Sequence, residues 1–420
     1  MAMIAPPAMA RILLCFFVLA RVCASTGSQP SVDDGQSFFD VIEYGAVGDG
    51  RTDDTKAFKK AWTDACKSSV SMPIMHVPQN KTCLLQPLVL RGPCNSQNLT
   101  IQIDGTLVAS GDPSAWKCDK KDCRHWIMIS DVDGLSVLGS GAINGNGSEW
   151  WDHSLCHHHH VGCGKKPTGL VIDKCNEVRL SELTFKDSPQ MHIAIEGSTR
   201  VTAANLTITS PGHSPNTDGI HIQRSQHVLV RDCYIGTGDD CISIGQGSAH
   251  LDISGISCGP GHGVSIGSLG KHGSRETVED VHVRDVHFVG TSNGVRIKTW
   301  QGGKGYARDI VFERITISNS SHPIIIDQFY CDHEHCKNQT SAVQISNVTY
   351  SQVNGTSHAK AAVELACSET HPCRDILMKD ITLNLTVKGK ETTSHCSNVR
   401  GRRNSNIFPN ISCLEEDEDL

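Results

Sequence analysis

Beyond its first residues the 420-residue sequence lacks a long apolar run, and only 5% of its residues are aromatic. The single apolar run, Ile12 to Ala20, follows the basic residue Arg11 and is too short to span a bilayer comfortably. Followed by small residues, it is typical of a secretory signal peptide covering residues 1–24. We therefore expect a secreted protein with no membrane-spanning segment.

Basic residues are also scarce, since 38 Lys and Arg stand against 45 Asp and Glu, for a formal charge of −7. Loss of Arg11 and Arg21 with the signal peptide lowers this charge to −9. Such a charge argues against a nucleic-acid or general polyanion binder. An acidic ligand must therefore meet a local cluster of bases, and residues 415–420 are expected to form a solvated acidic tail.

Of the 19 cysteines, Cys15 and Cys23 lie in the signal peptide, which leaves 17 in an exported chain and predicts disulfide bonds. Ten N-x-S/T sequons, from Asn80 to Asn410, fit a secreted glycoprotein. The odd cysteine count predicts one free thiol, with Cys175 and Cys233 as candidates. Short spacing predicts four bonds: Cys241 with Cys258, Cys331 with Cys336, Cys367 with Cys373, and Cys396 with Cys413.

The sequence lacks the helical periodicity of an α-solenoid, and no stretch is typical of a linker between domains. Instead, short strands rich in Val and Ile recur from about residue 175 onward. Six units begin at Val178, Val201, Val228, Leu251, Val281 and Ile310. A second strand in successive units begins at Gly219, Cys241 and Gly263, each 22 residues apart, and then at Gly294 and Pro323 after 31 and 29 residues.

A period in the twenties with several short strands per unit predicts an all-β, single-domain parallel β-helix. We assign residues 39–414 to this domain and residues 25–38 to a short segment before it. Asp53 to Cys66 predicts a capped amphipathic helix that would cover the open end of the stack. Alternation along the strands buries Ile and Val and places four side chains on one outer face: His221, Ser243, Ser265 and Arg296.

The 22-residue spacing also places Asp218, Asp240 and His262 at one position of three successive coils, with Asp239 beside them. Neighbouring strands lie about 4.8 Å apart, so these side chains should form one patch. Asp also favours turns, which is the structural alternative. Because stacked carboxylates repel, we favour a site in which their pKa values are pushed apart, leaving one acid protonated and the others ionised as bases.

Arg296 and Lys298 are two residues apart on the next strand and therefore share a face. They aim cations at the same groove, where Arg can hold a carboxylate in a bidentate fork. The structural alternative is that they only balance the aspartates. In an acidic protein, this local concentration of bases favours a uronic-acid substrate.

Four motifs carry a family resemblance: Ser214 to Gly219 (SPNTDG), Gly238 to Cys241 (GDDC), Gly261 to Gly263 (GHG) and Arg296 to Lys298 (RIK). In this order and spacing they resemble the motifs of the polygalacturonases of glycoside hydrolase family 28, and the flanking sequence is most similar to plant members. The resemblance implies a right-handed parallel β-helix. It also implies hydrolysis of α-1,4-galacturonosyl bonds of pectin in the plant cell wall, by inversion and without a cofactor or metal.

The resemblance further implies a role for each residue. Asp239 would be the general acid, Asp218 and Asp240 would activate water, and His262 would hold the proton of the acid. Inversion needs acid and base roughly 6.5–9.5 Å apart. The residues expected to bind substrate are Arg296, Lys298, Tyr330 and Asn216.

Two other features carry alternative interpretations. The run His157 to His160 could bind a metal, but adjacent histidines lack fixed geometry, so we predict no metal. Trp150 and Trp151 could line a sugar cleft or simply pack under a loop.

The sequence leaves three alternative functions open. They are a calcium-dependent pectate lyase, a rhamnogalacturonan hydrolase, and a non-catalytic pectin-binding wall protein. The complete motif set favours a hydrolase of homogalacturonan. We expect it to be a monomer. The motifs leave endo and exo action open, because that choice depends on loops closing the groove.

Overall fold

The computed structural model describes residues 36–118, 124–151, 166–332 and 336–417. These described residues form one compact unit. The predicted signal peptide and the histidine run lie outside the described residues. Within the described ranges, no helix combines the length and apolarity that a membrane crossing requires.

Short parallel strands make up most of the chain. The first ten are β1 (Gln36–Asp40), β2 (Asp49–Asp53), β3 (Met72–Val77), β4 (Thr82–Leu85), β5 (Leu88–Arg91), β6 (Leu99–Ile103), β7 (Thr106–Ala109), β8 (His125–Ser130), β9 (Asp133–Leu138) and β10 (Ala142–Asn144). The next ten are β11 (Thr168–Asp173), β12 (Asn176–Ser181), β13 (Thr184–Lys186), β14 (Ile193–Glu196), β15 (Thr199–Ala204), β16 (Thr207–Thr209), β17 (Ile220–Gln223), β18 (Gln226–Gly236), β19 (Ile242–Ile244) and β20 (Ser248–Cys258).

The remaining strands are β21 (Val264–Leu269), β22 (Arg275–Val289), β23 (Asn293–Thr299), β24 (Lys304–Ser320), β25 (His322–Asp327), β26 (Gln344–Ser357), β27 (Ala361–Ala366), β28 (Cys373–Leu385), β29 (Thr393–Ser397), β30 (Val399–Arg403), β31 (Ile407–Phe408) and β32 (Glu415–Glu416). The α-helices are α1 (Thr55–Lys67) and α2 (Ser148–Trp151), and short 3₁₀ turns lie at Pro113–Ala115 and Lys271–Gly273.

The strands stack coil upon coil into a right-handed parallel β-helix, as the sequence predicts. One face is an eleven-stranded sheet in the order β5-β8-β11-β14-β17-β19-β21-β23-β25-β27-β29. The other strands form the remaining walls as a sheet of 21 strands. Every pairing in the eleven-stranded sheet is parallel, so equivalent positions of successive coils lie side by side.

Register confirms the predicted repeat. The six predicted unit starts are paired in one column from Val178 to Ile310. On the eleven-stranded sheet, Ile220, Ile242, Val264 and Val295 form a second column. These side chains are almost completely buried. The stacked aliphatic columns are therefore the core, and the alternating side chains point outward.

The chain turns between the strands of a coil through residues with left-handed backbone. Asn205, Asp232, Asp285 and Asp380 have φ between 53° and 55°. Asn and Asp tolerate this conformation better than branched residues. The Asn and Asp clusters after each apolar strand are thus explained by the corners of the β-helix.

Helix α1 confirms the predicted amphipathic helix. Phe58, Ala61, Trp62 and Ala65 are buried, and the helix packs against β1, β3 and β5 at the start of the stack. The expected cap differs in detail: Asp54 precedes the helix, but its carboxylate accepts from the N–H groups of the preceding loop instead of those of the first turn.

The four predicted disulfides are present, together with Cys66–Cys94, which the spacing did not suggest. The prediction of a single free thiol is wrong. Cys83 is free and buried, as are Cys175 and Cys233, because a buried cysteine can serve simply as a small apolar side chain.

The sheet extends beyond the limits expected for the domain. Strand β1 begins at Gln36, and Glu415 and Glu416 pair with Arg402 and Arg403. Ion pairs from Arg403 to Glu416 and from Arg402 to Asp417 neutralise the first part of the acidic segment. Glu415 and Glu416 therefore pair with the last coil while their side chains stay exposed to solvent.

Candidate active site

The parallel register brings the predicted acids together at the start of β17, β19 and β21. The Gly219 N–H donates to the Asp240 carbonyl at 3.0 Å, and the Cys241 N–H donates to the Gly263 carbonyl at 2.8 Å. Asp218, Asp240 and His262 each lie two residues before a column residue of the sheet. The predicted ladder is therefore correct at the level of the backbone.

Gly238 places Asp239 beside this ladder. A Cβ atom at Gly238 would lie 2.0 Å from the Ser214 carbonyl oxygen, which is closer than any side chain permits. The Gly238 N–H also donates to the Thr217 hydroxyl at 3.0 Å. The close approach of these two coils explains the glycine in the GDDC motif.

Asp240 is the most strongly anchored carboxylate of the site. Its Oδ1 accepts from the Ser265 hydroxyl at 2.7 Å and from an Arg296 guanidinium nitrogen at 2.7 Å, while Oδ2 accepts from Lys298 Nζ at 2.9 Å. The Asp240 side chain is only 2% exposed. Two cations and a hydroxyl thus compensate its buried charge.

Asp218 has fewer partners. Its Oδ2 accepts from the Ser243 hydroxyl at 2.5 Å, and its backbone carbonyl accepts from Nδ1 of the buried His192 at 3.1 Å. Among the described residues, no hydrogen bond to Oδ1 is present. That oxygen is therefore the one left for a reacting group.

Asp239 pairs with His262, since His262 Nδ1 lies 3.0 Å from its Oδ1. The backbone N–H of Asp240 donates to the same oxygen at 2.8 Å, and Asn216 donates to Oδ2 at 3.4 Å. His262 is 43% exposed and Asp239 18%, so this pair lies at the mouth of the site. Asn216, which the resemblance assigns to substrate binding, donates its hydrogen bond to Asp239 in this structure.

The three carboxyls differ in pKa. Burial, followed by the negative charges of Asp239 and Asp240, raises the pKa of Asp218 from 3.8 to about 7. Burial also acts to raise the pKa of Asp239, but the hydrogen bond and charge of His262, with Lys298, bring it below its usual value. The same hydrogen bond raises the pKa of His262. The raised pKa therefore belongs to Asp218, whereas the sequence interpretation expected it at Asp239.

Tyr330, which the resemblance assigns to substrate binding, lies beside Lys298. Lys298 Nζ is 5.4 Å from the centre of the Tyr330 ring, and Trp300 contacts the same ring edge-on at 5.5 Å. Lys271 extends the arrangement, with Nζ 4.8 Å from the Trp300 ring. This aromatic and cationic wall borders the carboxylate cluster.

Trp150 and Trp151 pack within the protein. Trp150 is buried and packs edge-on against Trp116 at 5.3 Å between ring centres, and Trp151 Nε1 donates to the Ser188 carbonyl at 3.1 Å. These contacts support packing under a loop in preference to a sugar-binding surface.

One group of described residues has the spacing of metal ligands: Asp239, Asp240 and His262 offer atoms within 4.8 Å of one another. Both oxygens of Asp240, however, already accept from Arg296 and Lys298. A divalent cation would have to enter beside two positive side chains. The electrostatics of the cluster therefore favour an anionic ligand over a metal.

Sequence reasoning placed Ser243 and Ser265 on the outer face but missed what they do. Each hydroxyl donates to an aspartate of the ladder, and each serine lies three residues after a ladder residue, Ser243 after Asp240 and Ser265 after His262. The buried His192 was missed altogether. Burial lowers its pKa to about 4, so it is neutral where it supports the Asp218 backbone. The two serines, 22 residues apart at one position of successive coils, were the available signal for their shared role.

Comparison with known proteins gives concordant matches. The model of the glycosyl hydrolases family 28 matches residues 66–412. A probable polygalacturonase of Arabidopsis thaliana is 46% identical over 378 residues, covering 90% of this chain and 84% of the relative. Polygalacturonase-2 of Solanum lycopersicum is 42% identical over 403 residues, covering 96% and 87%. The crystal structure of an endo-xylogalacturonan hydrolase from Aspergillus tubingensis matches with a TM-score of 0.74 and 26% identity, over 84% of this chain and 95% of that chain.

Proposed function

The chain belongs to family 28 of the glycosyl hydrolases, and on that premise we propose that it hydrolyses the α-1,4-galacturonosyl bonds of homogalacturonan in pectin. The observation that carries the proposal is the convergence of Asp218, Asp239 and Asp240 beside Arg296 and Lys298. The carboxyls supply acid and base, and the cations attract a uronate. The reaction is a single displacement with inversion at the anomeric carbon.

In this mechanism water attacks the anomeric carbon while the glycosidic bond breaks. Asp218, held through Oδ2 by Ser243, accepts the proton of the water at Oδ1, and Asp240 on the neighbouring coil helps to activate that water. Asp239 delivers a proton to the leaving oxygen. The substrate carboxylate lies against Arg296 and Lys298, which then share their positive charge between it and Asp240.

The acid and the base depend on a shared proton. Below about pH 7 the three carboxyls retain one proton, which resides on Asp218 in the absence of substrate. When substrate is bound, the glycosidic oxygen beside Asp239 accepts a hydrogen bond and so favours the protonated form of Asp239. His262, with Nδ1 3.0 Å from Asp239 Oδ1, is the neighbouring group that carries a proton. Activity should therefore fall as pH rises through about 7, because the shared proton is lost.

We further propose that the enzyme is exported and acts as a monomer in the plant cell wall. The disulfides support an oxidising compartment. The relatives are plant proteins. Expression of a tagged full-length chain in plant cells, followed by fractionation and size-exclusion chromatography, tests both statements: recovery from the cytosol or as an oligomer would contradict them.

The decisive experiment incubates the secreted protein with polygalacturonate and follows products by mass and ultraviolet absorbance. We expect saturated products with new reducing ends, at a rate unchanged by a chelator, and no product from Asp239→Asn. Unsaturated uronides and chelator sensitivity would indicate a lyase. Binding of polygalacturonate without any bond cleavage would indicate the non-catalytic wall protein.

A further inference from the structure

Behind Asp218, hydrogen bonds link two strands of the eleven-stranded sheet. Ser243 Oγ on β19 lies 2.5 Å from Asp218 Oδ2 and 2.8 Å from Nδ1 of His221 on β17. The other ring nitrogen of His221, Nε2, lies 3.1 Å from Oε1 of Gln223. Ser243 is buried and His221 is half-buried, so this chain forms part of the groove floor.

The protons available determine the direction of each bond. An ionised Asp218 only accepts, so the single hydroxyl proton of Ser243 points to Oδ2. Ser243 must then accept from Nδ1–H of His221. Burial lowers the pKa of His221, so the ring is neutral and its Nε2 accepts from Gln223 once the amide turns its NH₂ inward.

The same chain also fits protonated Asp218 with every bond reversed. A proton on Oδ2 is donated to Ser243, the Ser243 hydroxyl donates to Nδ1, and Nε2–H donates to Oε1 of Gln223. A change of tautomer in neutral His221, together with a turn of the Gln223 amide, thus accommodates both protonation states of Asp218.

We propose that His221, acting through Ser243, is a positioning residue for Asp218. It fixes Oδ2 in the hydrogen-bonded position and leaves Oδ1 to receive the proton of the attacking water. This inference rests on the proposed function, because it takes Asp218 as a base in hydrolysis.

The surrounding charges show why Asp218 needs this support. Asp239 and Asp240 oppose its ionisation, whereas Ser243 and Lys298 favour it. Lys298 is already bonded to Asp240 at 2.9 Å. Ser243 is therefore the direct hydrogen-bond donor to the Asp218 carboxylate among the described side chains. Charges around His221 itself come from Glu196, Asp240 and Lys298, of which the first two favour its protonated form.

The test compares Ser243→Ala and His221→Ala with wild type by kcat, KM and the pH profile on polygalacturonate. Loss of one hydrogen bond to the base should lower kcat about tenfold and leave KM within about twofold. In Ser243→Ala the alkaline limb should move to higher pH by about half a unit or more, because the donor that lowers the Asp218 pKa is absent. A purely structural role would not move that limb.

His221→Asn is the rescue variant, since its amide NH₂ lies close to the former Nδ1 position and can donate to Ser243; it should recover most of kcat. His227→Ala, at an exposed histidine of β18, is the matched control and should resemble wild type. If His221→Ala does not fold, as judged by thermal unfolding, Ser243→Ala and His221→Asn still decide the question.

Asp218→Asn is measured in parallel to separate the two proposals. Full activity of Asp218→Asn would overturn the proposed role of Asp218 and the inference with it. An inactive Asp218→Asn together with wild-type kcat and pH profile in Ser243→Ala would overturn only the positioning role of His221 and Ser243.

Discussion

Lys298 donates from Nζ to Asp240 Oδ2 at 2.9 Å, so a cation expected to meet the substrate already has a carboxylate partner in the protein. Lys298 is 9% exposed and Asp240 2%. A substrate uronate must therefore share the cation with Asp240, which ties substrate binding to the charge balance of the carboxylate cluster.

This relationship predicts the effects of Lys298→Met. We expect KM for polygalacturonate to rise at least tenfold, because a charge-assisted contact is lost. The alkaline limb of activity should also move to higher pH, since Lys298 lowers the pKa of Asp218. Lys298→Arg is the control that keeps the charge and should retain the position of the limb. An unchanged KM in Lys298→Met would contradict the shared-cation interpretation.

The same variant should lose stability. Breaking a buried ion pair costs about 3–5 kcal/mol, but Asp240 keeps Arg296 and Ser265, so a smaller loss in the free energy of unfolding is expected. Denaturant unfolding of wild type and variant at one pH provides the measurement.

Acid and base roles are separable by substrate chemistry. Asp239→Asn should recover activity on an oligogalacturonide with an aryl leaving group, because such a group departs without protonation. Asp218→Asn should gain nothing from that substrate, but azide should restore turnover and yield a glycosyl azide of inverted configuration. Both measurements use mass and NMR analysis of products. The reverse pattern would exchange the two roles and agree with the raised pKa of Asp218.

Stability should depend on pH through Asp218. Its pKa is about 7 in the folded protein against 3.8 for an ordinary Asp, so the folded state retains a proton that the unfolded state has released. This contribution is fully present below pH 3.8 and is lost as pH rises through about 7.

Asp218→Asn should therefore be more stable than wild type at pH 8, by on the order of a few kcal/mol, with little difference at pH 4. Thermal unfolding at the two pH values checks this. Because the pKa of Asp239 is lowered, its contribution to stability is lost as pH falls. Wild type and Asp218→Asn both contain Asp239, so the difference between them isolates the contribution of Asp218. Equal stability of both proteins at pH 8 is incompatible with this account.

The disulfide Cys241–Cys258 should hold the turn that carries Asp239 and Asp240. Cys241 follows Asp240 directly, and the bond joins residues 17 apart in the sequence. Closing a loop of this length contributes about 3 kcal/mol. Replacing both cysteines with Ala should lower stability by about that amount and reduce kcat, measured by calorimetry and reducing-end release. Cys233→Ala, at a free buried thiol, is the control and should retain kcat.

Much of the fold was predictable because a β-helix repeats. The 22-residue spacing fixed which residues share a rung, and the pairing of Ile220 with Ile242 and of Ile242 with Val264 confirms it. Short spacing likewise predicted Cys241–Cys258. Cys66–Cys94 was not predicted, because it joins helix α1 to a loop outside the counted repeat.

The partners of the acids were less predictable. Asp218 and Asp240 occupy equivalent rungs, yet one contacts Ser243 and the other Ser265, Arg296 and Lys298. The difference arises because β23, which pairs with the strand of Ser265, carries Arg296 and Lys298. A repeat in sequence gives position but not the side-chain environment.

The sequence by itself determined the repeat and the positions of the proposed catalytic groups on successive coils, since strand pairing converts a fixed period into a spatial column. Only the tertiary structure decided which carboxyl has the raised pKa and which is neutralised by Arg296 and Lys298. Burial and charge at distances of a few ångströms set proton affinity, and side chains from several coils contribute to both.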